Sequence, residues 1–272
     1  MGLVAGGLSG VLLGLRFGWI TGVVTGVVAL LTVGWLAGRR DRRRDDLAEQ
    51  PFPEPWRSVL TEYVEYYRSL DAQERTRFER EVRWFVDEQV ITGPKGAEVE
   101  DELKLLVAAS AVVVVFGRDG FRYPKLRDIV VYERSFDEEY GAGGNILGMV
   151  HGQGPILFSA RSLKQGFRGE HDGKNVGYHE FAHVLDFDQG RADGVPGFMP
   201  WDTVKPWLEL MHGETAKIEK RRSILRQYAA KNEAEFFAVA TEMFFEKPKK
   251  MKREHLALFE LLVETYGQDP TS

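Results

Sequence analysis

The chain has 272 residues, 43% of them hydrophobic and 28% charged, enough to bury a substantial core as one large domain or two small ones. A formal net charge of -5 leaves no basic footprint, which excludes nucleic acid as a partner class. With no cysteine, disulfides and thiolate ligands are excluded as well, and any metal must be held by His, Asp or Glu.

Residues 1–38 differ from the rest. No charge occurs between Phe17 and Gly38, a stretch long enough to cross a bilayer as a helix. Arg39, Arg40, Arg42, Arg43 and Arg44 follow at once, the basic flank that stays on the cytoplasmic side. This order is the reverse of a cleaved signal peptide. Gly2, Gly6, Gly10, Gly14, Gly18, Gly22 and Gly26 recur every four residues, a flat face that lets a second helix approach. The segment therefore reads as a transmembrane anchor with self-association through the glycine stripe, or as the first arm of a hairpin. Residues 3–15 are too short to cross alone and Arg16 is costly at mid-bilayer, so one principal span is favoured over two. Residues 39–55, charged and then proline-bearing, form a juxtamembrane linker whose arginines favour anionic lipid headgroups. A soluble domain then occupies residues 56–272, and the expected location is the bacterial inner membrane with this domain in the cytoplasm.

Leu60, Tyr63, Val64 and Tyr67 recur at helical intervals, as do Phe78, Val82, Phe85 and Val86 after Asp71, a candidate N-cap. These two helices end around Ile91 to Pro94. Leu103 to Phe116 is too short for a membrane span and reads as a buried core helix, passing into a strand at its valine-rich end. Ile129 to Tyr132 is a short buried strand. Glycines 141, 143, 144, 148, 152 and 154 mark a tightly turning stretch. Pro155 to Ala160 has the character of an edge strand, able to align an extended peptide, although an ordinary sheet edge explains it equally.

The stretch Gly177 to Asp188 carries His179-Glu180-Phe181-Ala182-His183. Two His four apart share one helix face and can converge on one zinc ion, and Glu180 beside them can take a proton from an activated water. Phe181, Ala182, Val184 and Leu185 supply an apolar face for burial. Asp186, one turn beyond His183, is placed either to fix a ligand imidazole or simply to end the helix. Gly190 to Trp201 reads as a loop. Helical periodicity returns from Val204 and runs through Ile224, Leu225 and Tyr228, and a final helix carries Leu256 to Leu262.

Two His leave a tetrahedral zinc site a protein ligand short. The best source is Asn232 to Glu242, where Glu235 is a carboxylate set among apolar residues. Glu242, two turns on, is an alternative ligand or an orienting group, while Glu233 points to solvent.

The pair of motifs, HEFAH with Asp186 three residues on and NEAEFFA some fifty residues later, resembles the Mlc titration factor A family of bacterial zinc-dependent peptidases. It is also similar to the catalytic domain of anthrax lethal factor. The resemblance covers roughly Val82 to Phe245 and implies an α+β, zincin-like (gluzincin) domain, mostly helical with a small mixed sheet. It also implies one Zn²⁺ held by His179, His183 and Glu235, with Glu180 as general base. By the same resemblance the Tyr228 hydroxyl stabilises the oxyanion. The expected function is a membrane-anchored zinc metallopeptidase acting on a peptide or protein substrate. The family's name-giving member binds a transcriptional repressor, so the alternative is a membrane-tethered, regulator-sequestering protein with weak or incidental peptidase activity. A purely structural metal, with Glu242 as a fourth ligand, is the third reading.

Overall fold

The computed structural model describes residues 18–123, 126, 128–133, 155–168, 173–187 and 190–272. The glycine stripe before Gly18, Arg16 and the glycine-rich stretch 141–154 lie outside these. The chain divides into two compact units, Met1–Pro51 and Phe52–Ser272.

In the first unit, α1 (Trp19–Ala37) is followed by α2 (Arg39–Ala48), which buries no residue. The expected membrane crossing is not met among the described residues, where no helix is long and apolar enough to span a bilayer. At 19 residues, about 28 Å, α1 is shorter than the charge-free stretch 17–38 of the sequence. Thr21, Thr25 and Thr32 also interrupt its apolar run. The glycine stripe is not continuous either: Gly18 takes φ +93 just before α1, a left-handed turn that no helix face runs through. Val23, Val27, Leu31 and Trp35, four residues apart, remain exposed along α1.

The second unit opens with α3 (Glu54–Tyr63) and α4 (Glu65–Ser69), one run in the sequence pattern but broken at Val64, whose ψ of 97 is extended. Asp71 caps α5 (Ala72–Glu88) in a full capping box: its carboxylate accepts from Glu74 N at 2.8 Å and Glu74 Oε2 accepts from Asp71 N at 3.0 Å. Ile91–Thr92 is not a helix end but a strand, β1. The apolar run that follows stays helical throughout as α6 (Asp101–Val115), without the strand expected at its valine end. Every residue from Leu105 to Val115 is buried, so burial on all sides replaces amphipathic patterning.

Strands β2 (Ile129–Tyr132) and β3 (Ile156–Ser159) complete a sheet in the order β1-β2-β3, with Ile91 paired to Ile129 and Ile129 to Ile156. Both pairings are parallel, so the described sheet is parallel rather than mixed. A parallel pair needs a crossover, and α6 lies in the one between β1 and β2. After β3 come α7 (Ala160–Arg168) and α8 (Val176–Asp186), then α9 (Trp201–Glu219), α10 (Glu233–Glu246), α11 (Pro248–Glu254) and α12 (Leu256–Tyr266). Helix α8 packs on α6 and side by side with α10. The unit is thus mostly helical with a small sheet at one side, an α+β architecture built around the α6–α8–α10 layer.

Candidate metal centre

Helix α8 starts where Asn175 caps it, the side-chain oxygen accepting from Tyr178 N at 3.2 Å. Asn175 is fully buried, and its Nδ2 donates to Gly166 O at 3.2 Å and Glu246 Oε1 at 3.1 Å. Two residues on, Gly177 lies against α6: a Cβ there would come within 2.0 Å of Ser110 Oγ. Glycine thus lets α8 sink into the core, and His179, Glu180 and His183 are all buried with it. On α10, Asn232 plays the capping part, accepting from Glu235 N at 2.8 Å. The cap fixes Glu235 in the first turn, where the packing of α10 against α8 aims it at both histidines.

Three donor atoms converge. His179 Nε2 lies 3.1 Å from His183 Nε2 and 3.2 Å from Glu235 Oε2, and His183 Nε2 lies 3.4 Å from the same oxygen. Ligands at about 2.0–2.1 Å from a tetrahedral ion stand about 3.3 Å apart, so the spacing fits one divalent cation. The tautomer fits as well. His179 Nδ1 is 2.6 Å from Glu242 Oε1, a carboxylate that can only accept, so Nδ1 carries the proton and Nε2 turns its lone pair inward. Glu235 Oε2 is buried with no hydrogen-bond partner. Electron pairs facing one another across about 3 Å call for a positive charge between them.

The electrostatics carry the same demand. Burial alone would lower the His179 pKa, but hydrogen bonds to Glu235 and Glu242 outweigh it and raise it to about 9. Burial pushes Glu235 upward, yet both imidazoles hold it well below the usual carboxylate range. Both shifts show that the cluster attracts positive charge. Glu180 is pushed up by burial, with its Oε1 lacking a partner among the described residues.

Glu242 belongs to the support of the site. It meets the Nδ1 side of His179, away from the converging atoms, and is held there by Asn175 N at 2.8 Å and by Arg226. Among the described residues only His179, His183 and Glu235 form a metal-ligating group, so no fourth ligand comes from Glu242. Asp186 does not reach an imidazole: its Oδ2 accepts from Gly194 N at 3.0 Å. Glu233 is exposed, as expected. Tyr228 is not on a continuation of α9. The chain reverses at Arg221, φ 55, and Tyr228 sits on a 3₁₀ turn, Gln227–Ala230. Its hydroxyl still donates to Glu235 Oε1 at 2.9 Å. Burial, then Glu235, raises its pKa. Arg226 and Lys231, whose Nζ lies 3.4 Å from the Tyr228 hydroxyl, were not legible in the sequence, where neither stands in a motif. An open cavity of about 270 Å³ leads to the cluster, lined by Ser162, His179, Glu180, Arg226, Tyr228 and Glu242 among others.

A family model described as glucose-regulated metallo-peptidase M90 matches residues 38–267. The chain belongs to this metallo-peptidase family. Among its relatives, an uncharacterised protein of Synechocystis sp. is 27% identical over 87% of this chain and 90% of its own length. Proteins named Mlc titration factor A are similar too. The one from Enterobacter sp. is 29% identical over 79% of this chain and 86% of its own, and that of Escherichia fergusonii 26% over the same shares. The three donor atoms, Glu180 and the cavity beside them all lie inside the matched region, whereas α1 precedes it.

Proposed function

We propose that the protein is a zinc-dependent peptidase that hydrolyses peptide bonds and is attached to the bacterial inner membrane with its second unit in the cytoplasm. The carrying observation is the convergence of His179 Nε2, His183 Nε2 and Glu235 Oε2 within 3.4 Å, with Glu180 on the same helix, its Oε1 without a hydrogen-bond partner among the described residues. These three side chains would hold one zinc ion in a gluzincin arrangement. When bound, the ion supplies Lewis-acid polarisation of the scissile carbonyl and activation of water. Glu180, its proton affinity raised by burial, accepts the proton of the attacking water and returns it to the leaving amine. The Tyr228 hydroxyl lines the same cavity and would donate to the oxyanion in exchange for its bond to Glu235 Oε1. Strand β3 ends the described sheet, and an extended substrate adding to that edge would be aligned by main-chain hydrogen bonds.

Membrane attachment rests on the exposed apolar side chains of α1 and the arginines of α2, which anionic headgroups attract. The peptidase reading is tested by metal analysis together with a peptide-library cleavage assay on Glu180→Gln. The expected result is cleavage reduced roughly 10²–10⁴-fold at unchanged zinc content. Wild-type cleavage by the variant would overturn it.

A second reading is favoured by the relatives' name, Mlc titration factor A: capture of a regulator, with peptidase activity incidental. Equal capture of a partner by wild type and by zinc-free His179→Ala would support sequestration.

A further inference from the structure

A second cavity, larger than the one over the metal cluster, opens among the described residues of the second unit. It measures about 550 Å³ and is walled by Tyr66, Phe167, Tyr178 and Phe245. The rings form a continuous apolar surface, with centroids 5.9 Å apart for Phe167 and Tyr178, 5.5 Å for Tyr178 and Phe245, and 6.5 Å for Tyr66 and Phe245. Lys247, Lys249 and Lys250 line it too. Lys250 lies 3.9 Å from Glu254, whereas neither Lys247 nor Lys249 has an ion-pair partner among the described residues. Glu65 and Glu246 also line the cavity, and Glu246 is engaged by Asn175. What a ligand meets is a wall of tilted and edge-on aromatic rings beside Lys247 and Lys249, which form no ion pair among the described residues, with the Glu65 and Glu246 carboxylates on the same lining. Aromatic faces take up a flat apolar body and lysines an anionic group.

The position of the cavity gives it a consequence. Tyr178 comes from α8, one residue before His179, and Phe245 and Glu246 come from α10, the helix that carries Glu235. A hydrogen-bonded series runs from the cavity to the metal cluster: Glu246 Oε1 accepts from Asn175 Nδ2, Asn175 N donates to Glu242 Oε2, and Glu242 Oε1 meets His179 Nδ1. A ligand touching both helices therefore touches the two elements whose spacing sets the donor atoms. We propose that this cavity binds a small organic anion with an aromatic or flat apolar body, and that its occupancy alters the affinity of the His179–His183–Glu235 cluster for zinc. The second half rests on the zinc reading above.

The probe is benzenesulfonate, a weak zinc ligand, titrated by calorimetry into the full-length metal-free chain, with neutral benzyl alcohol as control. Benzenesulfonate is expected to bind at least ten times more tightly than benzyl alcohol. The Lys247→Ala/Lys249→Ala variant, altered only at the cavity rim, is expected to lose that difference with its Tm unchanged. Equal binding of the two probes by wild type, or undiminished benzenesulfonate binding by the variant, overturns the site. Chelator competition then reads zinc affinity with and without saturating benzenesulfonate. A change of at least three-fold is expected in wild type and none in Glu246→Gln. An unchanged zinc affinity in wild type overturns the coupling. A chain that binds no zinc at all overturns instead the peptidase reading, and the benzenesulfonate titration still decides the site.

Discussion

The site depends on residues that touch no substrate. Glu242 fixes the His179 tautomer and is itself held by Arg226, and its charge makes the imidazole a better electron-pair donor to a metal. Glu242→Gln keeps the shape and an acceptor oxygen but removes that charge, and zinc affinity by chelator competition is expected to fall roughly 10–100-fold. Asp186 acts on stability instead. Burial raises its pKa from 3.8 to about 6, and its Oδ1 has no hydrogen-bond partner among the described residues, so the folded chain binds that proton more tightly than the unfolded chain does. Stability from this group is therefore greatest below pH 3.8 and falls as pH rises toward about 6. Above that the cost is fully present, on the order of 3 kcal/mol for a shift of about two pH units. Asp186→Asn retains an acceptor for Gly194 N and removes the cost. Denaturant titrations should show the variant more stable than wild type at pH 7 and the difference vanishing near pH 4. A gap of equal size at both pH values would show that the carboxylate is not responsible.

At the scale of elements, the α6–α8 contact is the tightest condition on the site. Gly177→Ala puts a Cβ 2.0 Å from Ser110 Oγ and 2.7 Å from Ser110 Cβ, and α8 must back away. Overpacking of this kind costs about 1–3 kcal/mol, a fall in Tm of roughly 2–12 °C for a domain of this size. Ser110→Gly in the same chain removes both clashing atoms and should recover part of the loss. A purely additive pair would mean that the two positions do not meet. None of this contact shows in the sequence, where Gly177 and Ser110 are 67 residues apart. What was legible there is what one helix contains by itself: the His179–Glu180–His183 spacing, Glu235 set among apolar residues, and the cap at Asp71. What was not legible depends on distant partners. Glu242 lies on the face of Glu235, but only the packing of α10 on α8 decides that it meets the Nδ1 side of His179. Asp186 turns to Gly194, a loop residue with no motif. Tyr228 was carried along by apolar periodicity past Arg221, where the chain in fact reverses. Two-residue β1 is too short to display a period, and the parallel pairing of the sheet follows from its crossovers.

For the whole molecule, the metal cluster is a clasp between helices that leave the core at different points of the chain. His179 and His183 come from α8 and Glu235 from α10, more than fifty residues on, so an ion held by all three binds the folded second unit and not the unfolded chain. Such a ligand stabilises by RT ln(1 + [L]/Kd), about 2.7 kcal/mol at a hundred times Kd. Over a unit of this size that is roughly 5–11 °C in Tm. Stripping zinc with a chelator is expected to lower the second unit's melting transition by this amount, and readdition to restore it. Any melting signal of the first unit, Met1–Pro51, whose described residues contribute no donor atom to the cluster, should stay where it was. The Glu235→Gln chain separates this from non-specific metal effects, because it loses one donor while keeping its cap to Asn232. Its Tm should respond to zinc by less than a third of the wild-type shift. An undiminished response would place the ion elsewhere on the protein and remove the basis for assigning chemistry to this cluster.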